Sequence, residues 1–381
     1  MSDKQPAKEK DTVSKAMQNS VVYYDATKWA AIPACNGGNG PSWQWGNELL
    51  IGFTVGKYKR PEPLRLHHCD NDVPFDSWLA RSTDGGETWT AWKPDRYAGQ
   101  DRTVQDPPGN LDFTQDGFLM RIEGFGYHGN RGCQWFYSEN KGMTWHGPFG
   151  FGDLMLHPEL KGKEFTGRTA YIIDGPHELY LFLSVRERSE TGETGGTGRD
   201  RIKLVEKVFL ARTTDGGKTF TFVSWVVPWS DPYRAVMPAP VRISQTKIVV
   251  AIRRKSKSNH WIDCYESTDN GKSWSFLSKV AYTEDANKYN GNPPALIQLQ
   301  DYRLCCVFGN RSTRQLKVKY SEDEGKSWST EQILRSDFHS VHGTPDLGYP
   351  RLFQRLDGKL VTAYFWCTEN KPQTHIEATI F

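Results

Sequence analysis

Hydrophobic and polar residues alternate in short runs along most of the chain, and the runs come in pairs joined by polar turns. In Met237–Arg254, MPAPVRISQTKIVVAIRR, two apolar runs flank the polar turn SQTK. A period of two is typical of β-strands that bury one face, and paired runs are typical of hairpins. Similar pairs lie at 40–55, 110–122, 168–183, 291–311 and 347–366. The pattern therefore predicts six β-hairpins.

A second pattern, an octapeptide, follows five of the six hairpins. It reads Ser or Thr, any residue, Asp, any residue, Gly, any residue, Thr or Ser, and an aromatic, with Asn replacing Asp in the second copy. The copies are 82–89, 138–145, 213–220, 267–274 and 321–328, so their aromatics are 56, 75, 54 and 54 residues apart. A period near 54 is the size of a four-stranded propeller blade. The longest interval contains the Gly- and Thr-rich segment 187–200, which we interpret as a loop insertion.

These units predict an all-β fold, a six-bladed β-propeller with four-stranded blades over residues 19–381. The sixth unit ends at the C-terminus without an outer strand, and we expect the segment Ser20–Tyr24 to supply it. Closing the ring in this way removes the open sheet edges. Residues 1–18 are polar and lack the apolar region of a signal peptide, so we interpret them as a disordered tail. We expect a cytoplasmic protein unless a signal has been removed.

Composition narrows the classes of partner. The chain has 381 residues, with 48 Lys and Arg against 45 Asp and Glu, and the net charge of +3 does not favour nucleic acid or an anionic membrane. No apolar run approaches the ~18 residues of a membrane span. The seven cysteines include no Cys-x-x-Cys pair, which favours buried thiols over disulfides or zinc, and we expect no metal or other cofactor. The oligomeric state is not indicated.

The octapeptide, called the box below, is predicted to be a structural turn between the third and fourth strands of a blade. Its Asp can accept backbone N–H groups, its Gly can take a positive φ, and its aromatic can pack on the blade. Because these turns share one face of the ring, functional groups are expected in the loops of the opposite face. Arginines are frequent in those loops, and converging guanidinium groups favour an anionic substrate.

The boxes and the six units resemble the sialidase (neuraminidase) superfamily of Asp-box, or BNR-repeat, propellers, over nearly the whole chain. The resemblance implies an exo-acting glycoside hydrolase of the exo-α-sialidase type, which releases a terminal acidic sugar such as sialic acid from a glycan. Sialidases use a Tyr nucleophile assisted by a Glu, an Asp acid/base and three Arg that bind the substrate carboxylate. A neutral phenol suits an anionic substrate, because a carboxylate nucleophile would meet a like charge.

The resemblance implies particular catalytic residues. GYPRLFQRLDG matches the start of the last blade and makes Tyr349 the nucleophile. Asp70, 12 residues before the first box, matches the acid/base position, with Asp72 as an alternative. Met237 stands where the assisting Glu is expected, and Glu123 is the candidate substitute.

The resemblance also implies a set of substrate-binding residues. No Arg stands in the segment CNGGNGPS, at 35–42, where the first carboxylate-binding Arg is expected, and Arg351 is the candidate replacement. The second matches Arg253, followed by Arg254, and the third matches Arg311 or Arg314. Further candidates in the loops of the same face are Arg186, Asp346, His68 and His128.

Two other functions stay open. One is a different carbohydrate-active propeller, a rhamnosidase-type glycosidase or a uronate-specific polysaccharide lyase, in which His or Tyr would move the proton. The loops predicted for the functional face contain His67, His68, Tyr127, His128, His339 and His342. The other is a propeller that binds glycan without catalysis.

Overall fold

The computed structural model describes residues 17–32, 42–60, 66–97, 103–124, 133–187, 206–284 and 289–381. These residues form six antiparallel sheets, and the predicted six-bladed β-propeller is confirmed. Helical structure in the described ranges consists of two 3-10 turns, Gly152–Leu156 and Pro158–Leu160. None of the helices described is long and apolar enough to span a membrane.

The strands follow one another blade by blade around the ring. The chain starts with β1 (Gln18–Tyr23), and blade 1 follows with β2 (Lys28–Ala31), β3 (Ser42–Trp45), β4 (Glu48–Lys57), β5 (Asp76–Ser82) and β6 (Thr90–Trp92). Blade 2 contains β7 (Leu119–Gly124), β8 (Cys133–Ser138) and β9 (His146–Phe149). Blade 3 contains β10 (Lys163–Phe165), β11 (Ala170–Gly175), β12 (Glu178–Glu187), β13 (Glu206–Thr213) and β14 (Thr221–Trp225).

The last three blades have the regular four-stranded order. Blade 4 contains β15 (Arg234–Arg242), β16 (Ile248–Lys255), β17 (His260–Ser267) and β18 (Ser275–Glu284). Blade 5 contains β19 (Pro294–Gln298), β20 (Leu304–Asn310), β21 (Gln315–Ser321) and β22 (Gln332–Arg335). Blade 6 contains β23 (Gly348–Gln354), β24 (Leu360–Trp366) and β25 (His375–Ile380).

The N-terminal strand closes the ring, as predicted. β1 pairs antiparallel with β25, and the sheet order of blade 6 is β23-β24-β25-β1. The N-terminal segment of the chain therefore supplies the outer strand of blade 6, and the C-terminal segment supplies the other three strands. The tail was predicted over residues 1–18, but Gln18 is already part of β1. Residues 1–16 lie outside the described residues, and Met17 directly precedes the strand.

Blade 2 departs from the prediction, because the segment expected to form its first strand, 110–114, is not a regular strand. Asn110 has a φ of +62°, and its N–H donates to the Asp215 carbonyl at 2.9 Å. Leu111 likewise donates to the Gly216 carbonyl at 3.1 Å. This backbone is therefore bound to the box of blade 3 instead of pairing within blade 2. A Cβ at Gly216 would lie 2.3 Å from the Leu111 nitrogen, so only glycine permits the contact.

The boxes form the predicted turns between the third and fourth strands of their blades. In blade 4 the Asp269 carboxylate accepts the Ser273 N–H at 2.9 Å, and the Ser267 hydroxyl accepts the Gly271 N–H at 2.8 Å. Gly271 has a φ of +82°. In blade 2 the amide oxygen of Asn140 accepts the backbone N–H of the residue four positions later at 2.9 Å. The box therefore satisfies its own backbone, which is a structural role.

Candidate active site

At the face opposite the boxes, the beginning of the first strand of blade 6 lies near the end of the second strand of blade 4. In each blade the first strand leads towards the box face and the second returns, so Tyr349 in β23 and Arg253 in β16 lie at the same face. An Nη1 atom of Arg253 donates to the Tyr349 hydroxyl oxygen at 3.3 Å. The Arg311 guanidinium carbon lies 5.5 Å from the centre of the Tyr349 ring. The side chains of Tyr349, Arg253 and Arg311 therefore lie together at this face.

The backbone at Tyr349 is held in an unusual conformation. Tyr349 has a φ of +53°, and the pairing register of β23 with β24 shifts between Gly348 and Arg351. The Tyr349 N–H donates to the Asn292 side-chain oxygen at 3.2 Å. The ring stacks edge-on against Phe365 at 5.4 Å. A left-handed conformation at a bulky residue costs free energy and persists only where its surroundings impose it, which is common at functional sites.

Met237 occupies the place where the resemblance implies a glutamate. Its side chain is buried, and its sulfur lies 3.3 Å from the Arg253 Nη1 atom that also bonds Tyr349. Met237 too has a positive φ, of +62°. Within the described ranges the Tyr349 hydroxyl therefore faces a guanidinium group and no carboxylate.

Three buried arginines have no carboxylate partner within the described part of the chain. Arg253 bonds the thioether of Met237 and the phenol of Tyr349. Arg311 donates to backbone carbonyls, among them that of Leu347 at 3.1 Å. Arg351 donates to the Pro350 carbonyl at 3.0 Å, and its Nε and Nη2 atoms have no hydrogen-bond partner in the described ranges. All three are at most 5% exposed.

A buried charge without a counter-charge is unfavourable in the free protein. A bound carboxylate would supply both the opposite charge and the missing hydrogen-bond acceptors. Arg253 and Arg311, which both lie against Tyr349, therefore form a local positive charge that favours an anionic ligand.

The other arginine candidates are engaged within the protein. Arg254 points to the opposite side of β16 from Arg253, as alternation requires, and donates twice to Asp231 at 2.7 Å. Arg186 pairs with Glu164 at 3.0 Å. Arg314 is exposed and donates to a backbone carbonyl at 2.7 Å.

Arg351 is the second residue after Tyr349 along β23, and regular alternation would place both side chains on one face of the strand. The register shift between Gly348 and Arg351 interrupts this alternation. Arg351 interacts instead with Tyr97, on the connection from blade 1 to blade 2. Burial lowers the pKa of Arg351 to about 10, and Tyr97 partly opposes this decrease.

The two carboxylates proposed from sequence have other partners. The Asp70 carboxylate contacts Lys59 at 3.2 Å and Lys57 at 3.9 Å, and neither Tyr349 nor Arg253. Glu123 is buried and accepts from Arg121 at 3.1 Å. Neither carboxylate is therefore in a position to assist Tyr349 directly. The candidate His128 lies outside the described residues.

Asp346 and His68 belong to a buried polar cluster between blades 1 and 6. The Asp346 carboxylate accepts from His67 at 2.7 Å, from the Trp29 indole at 2.8 Å and from the Thr374 hydroxyl at 2.9 Å. Burial alone would raise the pKa of Asp346, but His67, His68 and Trp29 together hold it well below its usual value. Burial lowers the pKa of His68, which favours its neutral form. No group of three His, Cys, Asp or Glu residues in the described ranges is arranged to hold a metal ion.

His260 lies in the electrostatic field of Arg253 and Arg311 and was not anticipated from the sequence. It is fully buried at the start of β17, and neither ring nitrogen has a hydrogen-bond partner among the described residues. Burial, then repulsion from Arg253 and other basic residues, lowers its pKa to about 2. No local motif marks it, because its environment comes from blades 4 and 5 together.

The comparison with known families agrees with this architecture. The model of the BNR repeat-like domain matches residues 122–362, and that of the BNR/Asp-box repeat matches residues 80–91. The chain belongs to the BNR repeat-like family. The predicted membership of the sialidase-like group of BNR propellers is thereby confirmed. No curated protein sequence matches this BNR propeller significantly.

Several solved structures share the fold of this BNR propeller. A Dyadobacter fermentans protein of unknown function is 17% identical with a TM-score of 0.67, and the match covers 96% of this chain and 99% of that one. A Hadza microbial sialidase is 14% identical with a TM-score of 0.55, covering 92% and 65%. A Penicillium chrysogenum α-L-arabinanase complexed with arabinobiose is 13% identical with a TM-score of 0.56, covering 96% and 98%. At these identities the similarity shows the fold alone.

Proposed function

We propose that this BNR propeller is a glycosidase that removes a terminal acidic sugar from a glycan. The observation that carries the proposal is the pair of buried guanidinium groups beside Tyr349, Arg253 and Arg311, which have no carboxylate partner among the described residues. Such groups bind a carboxylate strongly, because the ligand relieves an unfavourable buried charge. The sialidases and arabinanases among the proteins of similar fold support a glycosidase, and the arginines support the acidic substrate.

In this proposal Arg253 and Arg311 bind the sugar carboxylate and so place the anomeric carbon beside the Tyr349 oxygen. Orientation of this kind can supply a large part of the rate enhancement. Tyr349 then attacks the anomeric carbon while the bond to the leaving oxygen breaks. Water releases the sugar from Tyr349 in a second displacement.

A panel of aryl glycosides tests the proposal, with sialic acid, glucuronic acid and galacturonic acid as the acidic members and rhamnose, arabinose and glucose as neutral controls. We expect release of the free sugar from at least one acidic glycoside and a much lower rate with its neutral counterpart. Equal turnover of neutral and acidic glycosides would contradict the role of the arginines. Saturable binding of acidic sugars without turnover of any glycoside would instead indicate a glycan-binding propeller.

A second candidate, a uronate lyase, is favoured by Met237, because no carboxylate assists Tyr349 as a nucleophile. In a lyase the arginines would neutralise the uronate, and the Tyr349 oxygen would take the proton from C5 and return it to the leaving oxygen at C4. The electron pair of the C5–H bond would form the C4–C5 double bond as the C4–O bond breaks. A uronate-containing oligosaccharide distinguishes the reactions, because elimination gives an unsaturated product that absorbs ultraviolet light and hydrolysis does not.

A further inference from the structure

Three histidines lie in the polar cluster between blades 1 and 6, and their environments differ. His68 is fully buried, and its Nε2 bonds the Thr344 hydroxyl at 2.6 Å. His342 bonds the Tyr58 hydroxyl through its Nε2 atom at 2.5 Å. His67 is bound through Nδ1 to Asp346, and its side chain is 33% exposed. Within the described part of the chain the Nε2 atom of His67 has no hydrogen-bond partner.

The hydrogen bonds of Asp346 hold His67 in one orientation. The carboxylate is fully buried, and one of its oxygens accepts from Trp29, from Thr374 and from the His68 backbone N–H at 3.2 Å. The other oxygen is left to His67 at 2.7 Å. An ionised carboxylate only accepts, so the Nδ1 atom carries the hydrogen and Nε2 is the atom that can exchange a proton with a ligand. Trp29 also fixes the ring, with its indole edge-on at 5.8 Å.

The histidine and the reactive tyrosine are tied to the same short segment. Asp346 precedes Tyr349 by three residues, so their Cα atoms are at most ~11 Å apart. Arg311 holds this segment through the Leu347 carbonyl at 3.1 Å, and Asn292 holds it through the Tyr349 N–H at 3.2 Å. The contact between His67 and Asp346 therefore connects the imidazole to the segment that carries Tyr349.

We propose that His67, positioned by Asp346, is the general acid/base of the site, in place of the Asp70 that the family resemblance implied. Both residues belong to the loop that follows β4, but Asp70 is paired with Lys59 and Lys57. The inference rests on the proposed glycosidase function and adds the group that protonates the leaving oxygen.

The proton transfers balance over two steps. In the first, the bond between the anomeric carbon and the leaving oxygen breaks with its electron pair on that oxygen, and protonated His67 donates its Nε2 proton there. The Tyr349 oxygen bonds to the anomeric carbon, and the phenol proton passes to solvent. In the second, His67 takes a proton from the attacking water, the bond to Tyr349 breaks, and the Tyr349 oxygen regains a proton from solvent.

The dependence on the leaving group tests this role, because good leaving groups depart without protonation. We expect His67→Gln to lower kcat/KM by about 100-fold or more for alkyl or poorly activated aryl glycosides. With a dinitrophenyl glycoside of the same sugar the loss should be less than about 10-fold. Asp346→Asn should give the same leaving-group dependence in weaker form, because it removes the group that orients His67.

Two further variants make the result specific. His146→Gln changes an exposed histidine beside the box of blade 2 and should leave both kinds of substrate unaffected. Asp70→Asn tests the rival acid. A leaving-group dependence in Asp70→Asn but not in His67→Gln would overturn the inference, and so would an equal loss in His67→Gln for good and poor leaving groups. If the wild-type protein cleaves no acidic glycoside, the proposed function itself fails and the inference falls with it.

Discussion

At the residue scale, the partner of each buried arginine indicates whether that arginine is available to bind a ligand or stabilises the fold. Arg253 and Arg254 are adjacent in β16 and both are buried. Within the part of the chain that the structure describes, Arg254 has carboxylate partners in Asp231 and Asp263, and Arg253 has none. The sequence placed both residues at the functional face and could not distinguish them. The difference arises because alternation sends one side chain towards Tyr349 and the other towards acidic residues distant in sequence.

This pair gives a matched prediction. Arg253→Met removes a buried charge that has no counter-charge, so the free energy of unfolding should stay constant or rise by about 1–2 kcal/mol. Arg254→Met leaves Asp263 without its guanidinium partner and Asp231 with Lys207 alone, and it should lower the free energy of unfolding by about 2–3 kcal/mol. Denaturant unfolding of both variants measures the effects. Destabilisation by Arg253→Met as large as that by Arg254→Met would show that Arg253 is a structural residue.

His260 gives a prediction about pH. Its pKa of about 2 in the folded protein is below the ordinary value of about 6.5, so the unfolded chain binds a proton that the folded chain does not. Stability from this residue is therefore present above pH ~6.5 and is lost as the pH falls. Between pH 7 and pH 5 the free energy of unfolding of the wild-type protein should fall by about 2 kcal/mol more than that of His260→Leu. Parallel pH profiles for the two proteins would contradict this.

At the element scale, each box also connects its blade to the preceding one. The Ser224 hydroxyl in β14 donates to the Gly271 carbonyl of the next box at 2.6 Å, and Trp274 of that box donates back to it at 3.0 Å. Ser278 in β18 makes the same contacts with the following box, at 2.5 and 3.0 Å. The sequence revealed the turn but not these links, since they join residues about 50 positions apart.

The acidic residue of a box contributes to stability in a pH-dependent way. The hydrogen bond from the Ser273 hydroxyl is the largest effect on the pKa of Asp269 and lowers it. Burial opposes this decrease, but further hydrogen bonds within the box bring the pKa to about 2. The contribution is therefore present above the ordinary pKa of about 4 and is lost as the pH falls towards 2. Asp269→Ala should lower the free energy of unfolding by about 1–2 kcal/mol at pH 7. Asp269→Asn should lower it less, because Asn140 accepts the equivalent backbone N–H in the box of blade 2.

Thermal melts at pH 7 and pH 3 measure both effects. The difference in Tm between the wild-type protein and Asp269→Asn should shrink at pH 3, because part of the carboxylate's contribution is lost there. Turnover per folded molecule should be unchanged in both variants. A large loss of turnover at constant stability would mean that the box is functional.

At the scale of the whole molecule, local sequence patterns predicted the fold, whereas the candidate site depends on contacts between residues that are far apart in the sequence. Strand alternation and the repeated box predicted six blades and the closing strand, because each blade is specified by its own segment. The first strand of blade 2 was predicted wrongly, since Asn110 bonds the box of another blade. The His67–Asp346 contact joins residues 279 positions apart, and no local pattern indicates it.

The closing strand predicts how the ring responds to truncation. A chain beginning at Asp25 lacks β1 and exposes the edge of β25, whereas a chain beginning at Met17 keeps the strand. We expect the shorter chain to melt at a lower temperature and to associate through the open edge. Melting curves and light scattering compare the two. Identical behaviour would show that β1 does not close the ring.

The central claim, that Tyr349 acts on an anionic sugar held by arginines, is tested most directly by Tyr349→Phe. The substitution removes one oxygen and keeps the ring that packs on Phe365. With an acidic glycoside we expect kcat to fall by at least about 1,000-fold, while the affinity for the acidic sugar measured by calorimetry changes less than about 5-fold. Wild-type turnover by Tyr349→Phe would contradict the account.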